Sequence, residues 1–474
     1  MGSVRAYFRS TFQSLQVRNY RLFSIGQLIS LIFGWVQITA QDWLVLQVSH
    51  SSPSALGVVT ALQFTPMLAL TLYAGKLADR FDKRVLLMIA NAVWLVLAAL
   101  MGVLVVSGAV QLWHVYVFAA LWGTVAAVET PFRQPFASEL VGSSLLPNAL
   151  SLNAATFNTA RIIGPAIAGL IIAGLGTGAA FVINAISYVV PLVALYLMRP
   201  AELYRDGIAE RVSAAEARVV DGLRYVRRRP DLLLPLGLML VIGMVGFNYQ
   251  LTLAVLAKNV FHSGAATFGL LTTALAVGSL GGALAGTRRR SRPSVWVVLG
   301  GAVAFGVVGT LSGIMPSYLL TALILVPTGF TQIYLAQAAN QRLQLGVDPE
   351  LRGRVMALYF LVFMGTNPIG APLVGWLAQA FGPRASIWVG GVISLVVAGV
   401  ALIWRLRLAG GRLRLRLVPR PRIYVDVVVP GWQSVPHGVP TPVELSGRRF
   451  HAVTAGRRQP RPERAGPELS RVDA

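Results

Sequence analysis

Apolar stretches long enough to cross a bilayer recur along this chain, and that recurrence limits its fold more than any other feature. Twelve of them run over residues 20–48, 53–77, 84–107, 112–138, 147–174, 177–199, 231–258, 265–287, 294–314, 316–343, 353–380 and 384–406. Turn chemistry fills the short gaps, as in His50-Ser51-Ser52-Pro53, Ser107-Gly108, the run from Gly174 to Gly178, and Gly382-Pro383. In hydrocarbon every backbone polar group needs a partner within its own helix or within a closed barrel, and these runs do not alternate with period two. Helices are the remaining choice. Only 12% of the 474 residues are charged, whereas a soluble chain carries about a quarter. The predicted solvent for most of the chain is therefore lipid. Residues 1–18 are basic and polar and precede no short apolar core with a cleavage site, so no signal peptide is expected.

An even number of spans puts both termini on one side, and basic residues mark the cytoplasmic side. Of the 41 Lys and Arg, only Lys258 and Arg384 fall in gaps assigned to the outside, and Arg161 falls mid-span. All others sit in gaps or ends assigned to the inside. A missed helix would scramble this alternation. The expectation is a multi-pass protein of the inner (cytoplasmic) membrane with both termini in the cytoplasm.

The two halves of the chain resemble each other. Gly75-Lys-Leu-Ala-Asp79-Arg80 ends the second stretch, and Gly282-Ala-Leu-Ala-Gly286-Thr287 ends the eighth. Arg161-Ile-Ile-Gly164-Pro-Ala-Ile-Ala-Gly169 lies in the fifth, and Asn367-Pro-Ile-Gly370-Ala-Pro-Leu-Val-Gly375 lies in the eleventh. The offsets are 207 and 206 residues. This predicts a duplicated six-helix unit with a substrate site between the halves. The expected organisation is an N-terminal bundle over 1–199, a linker over 200–230, a C-terminal bundle over 231–408 and a basic, disordered tail over 409–474. The linker is Arg-rich and includes an amphipathic run from Asp221 to Arg229, suited to the membrane interface. Ladders of small residues at four-residue spacing, Ala160-Gly164-Ala168 and Gly278-Gly282-Gly286, predict that the fifth and eighth helices pack together across the half boundary.

The chain has no cysteine, its five histidines have no metal-ligand spacing, and no GxSxG elbow or phosphate-binding GxxxxGK[ST] loop occurs. No enzyme, cofactor or metal site is expected, and uphill movement would need an ion gradient. The net charge of +23 follows membrane topology, so no nucleic-acid partner is inferred.

The segment Gly75-Lys-Leu-Ala-Asp79-Arg80-Phe-Asp82-Lys83-Arg84 resembles the signature loop between helices 2 and 3 of the major facilitator superfamily, roughly G-x-L-a-D-r-x-G-r-[KR]. Gly75, Leu77, Asp79, Arg80, Lys83 and Arg84 match, and Asp82 stands where the pattern has Gly. An acid at a helix end can accept from the amides of a facing helix N-terminus, and the flanking cations can pair with acids or phosphates. The expected role is a cytoplasmic gate that latches in one state. Ala160, Gly164, Pro165, Ala168 and Gly169 are similar to the antiporter motif of drug-exporting members, which implies export. Ala40-Gln41-Asp42-Trp43, Thr130-Pro131-Phe132-Arg133-Gln134 and Asn148 to Asn153 resemble the branch that contains enterobactin exporters, the transmembrane secretion effectors.

Ionisable groups within spans default to function. Asp42, Glu129, Arg133 and Arg161 are the candidates for proton coupling, and all lie in the first half. Glu129 and Arg133 share a helix face at i, i+4. Arg161, deepest of the four, either binds an anionic substrate or bridges to Glu129. Gln37, Gln41, Trp43, Asn158, Asn248, Gln332 and Gln337 are candidate pocket residues, with Gln250, Phe157 and Phe330 beside them. The reading is a monomeric secondary transporter that exchanges a small organic compound (drug, siderophore or metabolite) for protons across the lipid bilayer. The alternatives are a lipid translocator on the same fold and a non-transporting membrane sensor or scaffold.

Overall fold

Helices that are apolar on nearly every side form this protein, because lipid rather than water solvates their outer faces. The computed structural model describes residues 12–78, 81–204, 219–289, 291–408, 413–416 and 424–427. Asp79, Arg80, the linker core 205–218 and most of the tail lie outside the described residues. The first half comprises α1 Arg18–Val48, α2 Pro53–Ala78, α3 Lys83–Val106, α4 over 112–141, α5 over 143–175 and α6 over 177–196. The second comprises α7 Pro230–Val260, α8 Ala265–Thr287, α9 Val295–Ile314, α10 Tyr318–Gln344, α11 Pro349–Phe381 and α12 Pro383–Leu408.

Among the described residues, ten continuous stretches are long and apolar enough to cross a membrane. One of them, Leu112–Tyr196, leaves helical geometry at Gly142 (φ 69°) and Gly176 (φ 84°). Those positive angles suit glycine, and they divide the stretch into α4, α5 and α6. With these breaks, each apolar run expected from sequence has its helical counterpart. The fold is all-α through the membrane region. In the tail, Leu413–Arg416 pairs antiparallel with Tyr424–Val427. Leu100, Val103, Leu170, Ile186 and Val400 are among many large apolar side chains left exposed, as lipid contact requires.

The internal repeat carries into three dimensions. Gly164 packs on Trp35 and the Ile32 carbonyl of α1, while its counterpart Gly370 packs on Met244 of α7. Each glycine thus seats its helix against the first helix of its own half. The halves then meet along two matched seams. A Cβ on Gly57 of α2 would stand 2.6 Å from the Ala371 carbonyl of α11, and Gly269 of α8 abuts the Pro165 carbonyl of α5. Residues 165 and 371 differ by the same 206 positions as Gly164 and Gly370.

Helices α5 and α8 do pack across the boundary, but not through the expected ladders. Gly278 and Gly282 turn to the backbone at Val326 and Phe330 of α10, and Gly286 meets the Gln337 side chain of the same helix. That ladder is packing within the second half. The crossing is made instead by Gly169 and Gly269, nearer one end of both helices. Small residues permit close approach on any face, and spacing alone does not say which neighbour takes it.

Ion pairs fix the end of the bundle that carries the basic residues. In the first half, Lys83 Nζ lies 2.6 Å from Glu139 Oε1. Arg84 donates from Nε to the Leu195 carbonyl (2.7 Å) and from its terminal nitrogen to the Tyr196 carbonyl (3.0 Å), capping the end of α6. In the second half, Asp231 accepts from Arg229 (3.0 and 3.1 Å) and Arg292 (2.8 Å). Arg342 donates to the Pro293 carbonyl at 2.8 Å. The linker helix Val219–Arg227 joins this network, with the Tyr225 hydroxyl donating to Asp348 at 2.9 Å.

Candidate functional site

The described contacts between the halves gather at one end of the bundle. At the end away from the basic residues, a Cβ on Gly375 would stand 2.7 Å from the Pro53 carbonyl, and one on Gly169 would stand 3.0 Å from Ala266 Cα. Ser52 Oγ donates to Gln379 Oε1 at 3.2 Å. Between α1 and α7, Gln250 Nε2 donates to Asp42 Oδ2 (3.0 Å), Lys258 Nζ to the Leu46 carbonyl (2.6 Å) and Asn259 Nδ2 to the Ser51 carbonyl (3.1 Å). Trp43 stacks on Phe268 with centroids 6.3 Å apart, and the Lys258 ammonium lies 5.7 Å from the Trp43 ring centre. The contact ends near the middle of the bundle, where Thr273 Oγ1 donates to the Ile162 carbonyl at 3.2 Å. From there to the basic end, no hydrogen bond or ion pair joins the halves among the described residues. Leu150 and Phe157 on α5 and Leu284 on α8 stand exposed there.

The embedded charges separate by this geometry. Asp42 is 5% exposed and belongs to the seal, because its partner comes from the opposite half. Glu129 is buried and receives Arg133 Nε at 2.6 Å and a second guanidinium nitrogen on its other oxygen, all within α4. The pairing expected from the i, i+4 spacing is present. It also removes the alternative in which Arg161 bridges to Glu129. Arg161 instead lies with its guanidinium carbon 6.0 Å from the centre of the Trp35 ring.

Several pocket candidates have other occupations. Gln37 is 1% exposed and accepts from Asn184 of α6 inside the first half, so it packs helices rather than facing the cleft. Trp43 is part of the seal, with Gln41 buried beside it. Asn158 and Asn248 donate to carbonyls of their own helices, at Ala154 and Met244, each at 2.8 Å. Asn248 adjoins the break at Phe247 between the two helical parts of α7, where freed backbone groups need such partners. Gln332 and Gln337 each keep a buried amide oxygen without a protein partner. Gln337 turns that oxygen toward Gly286 of α8.

Of the gate-loop residues, Gly75 lies within α2, and Asp79 and Arg80 lie outside the described residues. Lys83 and Arg84 make the ion pair and caps described above. Asp82, the departure from the superfamily pattern, is the N-cap of α3 at φ −63°, and its carboxylate accepts from the Arg84 amide at 2.9 Å. The backbone there needs no glycine. In the antiporter-like motif, Gly164 turns against α1 and Ala160 and Ala168 are fully buried, while Pro165 and Gly169 carry the α5–α8 crossing.

Sequence reasoning missed Lys258, Phe268, Gly57 and Gly269 as parts of the seal. One signal existed: Lys258 is one of only two basic residues in the gaps on its side of the membrane.

Residues 9–419 match the family model described as transmembrane secretion effector. The chain is 25% identical over 390 residues to the staphyloferrin A transporter of Staphylococcus aureus, covering 80% of this chain and 94% of that protein. It is 28% identical over 365 residues to the multidrug efflux pump Tap of Mycolicibacterium fortuitum, covering 74% and 87%. Among solved structures, it resembles a bacterial homolog of the human lysosomal transporter Spinster in an inward-facing, unoccupied conformation. The TM-score is 0.67 at 15% identity, over 82% of this chain and 96% of that one.

Proposed function

The chain belongs to the transmembrane secretion effector family of membrane transporters, and from that premise we propose that it exports a small organic compound across the cell membrane in exchange for protons. In this reading the basic end faces the cytoplasm and the cleft opens there. Substrate enters the open cleft, the far seal parts, the basic end closes, and substrate leaves outward.

One observation carries the coupling: the hydrogen bond from Gln250 to Asp42 crosses the halves inside the seal. A bond to an ionised carboxylate contributes about 1.5–3 kcal/mol, more than one to a neutral acid. An ionised Asp42 therefore holds the far end shut, and a proton on it loosens the seal. That property keeps the empty, unprotonated carrier from opening outward, one of the leaks that antiport has to block. Glu129 lacks it, because its partner Arg133 moves with the same helix. Moving one charge through ~100 mV yields about 2.3 kcal/mol, enough for roughly a fiftyfold gradient of exported compound.

The test is dye efflux from inverted vesicles under an imposed pH gradient, with ethidium and similar compounds. Asp42→Asn is expected to abolish uphill transport while keeping substrate–substrate exchange. Normal pumping by Asp42→Asn would remove Asp42 from the coupling step. Movement of lysophospholipids alone would replace the export reading with lipid translocation.

A further inference from the structure

Arg161 is a cation inside the membrane whose use nothing above explains. Successive residues of a helix point 100° apart, so contacts made by its neighbours fix its direction. On α5, Gly164 faces α1, while the carbonyls of Ile162 and Pro165 meet Thr273 and Gly269 of α8. Position 161 falls between those two directions, toward the space that α1 of one half and α8 of the other enclose. Along the bundle it stands one residue before Ile162, where the seal begins. Arg161 thus stands at the inner limit of the seal, facing the space between the halves.

Its surroundings are aromatic on one side and without counter-charge. Trp35 lies under the guanidinium, and Phe157, one turn earlier, meets Trp35 edge-on at 6.2 Å and is 43% exposed. The embedded acids are engaged elsewhere: Asp42 with Gln250, Glu129 with Arg133. Among the described residues, Arg161 meets no carboxylate and no hydrogen-bond acceptor. An arginine within the membrane normally pairs or functions, and a ring contact alone contributes only about 0.5–2 kcal/mol. The planar fork of a guanidinium fits the two oxygens of an anion. The crowd of basic residues at the mouth would also concentrate anions there.

We infer that Arg161, Trp35 and Phe157 form a subsite for the anionic group of an organic substrate, whose apolar body lies along the two rings. This deepens the export reading and rests on it for the direction of movement. The same guanidinium would repel a lipophilic cation unless that compound bound lower in the cleft.

The experiment compares three probes of one shape on purified full-length protein: 2-naphthoate, its methyl ester, and 2-naphthyltrimethylammonium. Binding is read by equilibrium dialysis. The expected result is that naphthoate binds at least about tenfold more tightly than the ester, the usual size of one charge-assisted contact, and that the cation binds weakest. Arg161→Gln should bring the naphthoate-to-ester ratio to about one, and Arg161→Lys should restore part of it. Equal binding of acid and ester by the unmodified protein overturns the inference without needing any variant, as does an unchanged ratio in Arg161→Gln. Ethidium efflux separates the two claims. Coupled efflux without an Arg161-dependent preference leaves the transporter reading standing and removes the anion site. An Arg161-dependent preference with no transport of any compound does the reverse.

Discussion

Gly269→Ala should push the protein toward its outward-open state. A Cβ at this position lands on the Pro165 carbonyl and stands 3.2 Å from Gly169 Cα and 3.3 Å from the Gly169 nitrogen. All three are backbone atoms, so no side chain can rotate away, and relief requires α5 and α8 to separate. Overpacking of this kind costs about 1–3 kcal/mol. The cost falls on the state in which the seam is closed and vanishes where it is open. The ratio of closed to open seal should therefore fall by about five- to 150-fold. The chain has no cysteine, so engineered pairs report without background. Ser52 and Gln379 touch across the seal at 3.2 Å. A Ser52→Cys/Gln379→Cys pair should cross-link readily in the parent and more slowly once Gly269→Ala is added. Gly282→Leu is the control, because Gly282 faces Phe330 of α10 in its own half; it should lower thermal stability and leave cross-linking unchanged. Unchanged cross-linking in Gly269→Ala, or loss in Gly282→Leu alone, would refute the assignment of the seam.

Lys258→Met removes the donor to the Leu46 carbonyl, a charged hydrogen bond of about 1.5–3 kcal/mol. The same cross-link should form about ten- to 150-fold less favourably. Arg133→Ala leaves Glu129 buried and unpaired, which costs about 3–5 kcal/mol; it should markedly lower the melting temperature in detergent, with partial recovery in Arg133→Lys. Arg84→Gln loses two caps on the end of α6 and should destabilise the first half by about 1–2 kcal/mol in thermal unfolding.

The helices were legible because a bilayer asks for length and apolarity, and both can be read along a single chain. The turns at Gly142 and Gly176 were legible too, as gaps between apolar runs. The repeat survived as glycines at one offset, since Gly164 and Gly370 each have to admit the first helix of their half. What could not be read was the direction each residue faces. In a soluble helix the polar face marks the outside, but these helices are apolar toward lipid and partner alike. Gly278, Gly282 and Gly286 were therefore assigned to the wrong neighbour. The same blindness hid the inward turn of Gln37 toward Asn184 and the meeting of Trp43 with Phe268, since neither partner is near in sequence. Asp42 stood out as a charge, yet only the fold supplies Gln250, 208 residues away. The i, i+4 pair Glu129–Arg133 was legible because its two members share one helix.

The central claim is that protons and the exported compound cross the membrane in opposite directions through one carrier, with Asp42 as the group that carries the proton. The direct measurement is proton flux in proteoliposomes holding the full chain, with an internal pH dye and an imposed pH gradient, on addition of ethidium and of 2-naphthoate. The account predicts a substrate-evoked flux of protons against the direction of substrate, absent in Asp42→Asn and retained in Glu129→Gln. Substrate movement without any proton flux, or a flux that Asp42→Asn leaves intact, would contradict it.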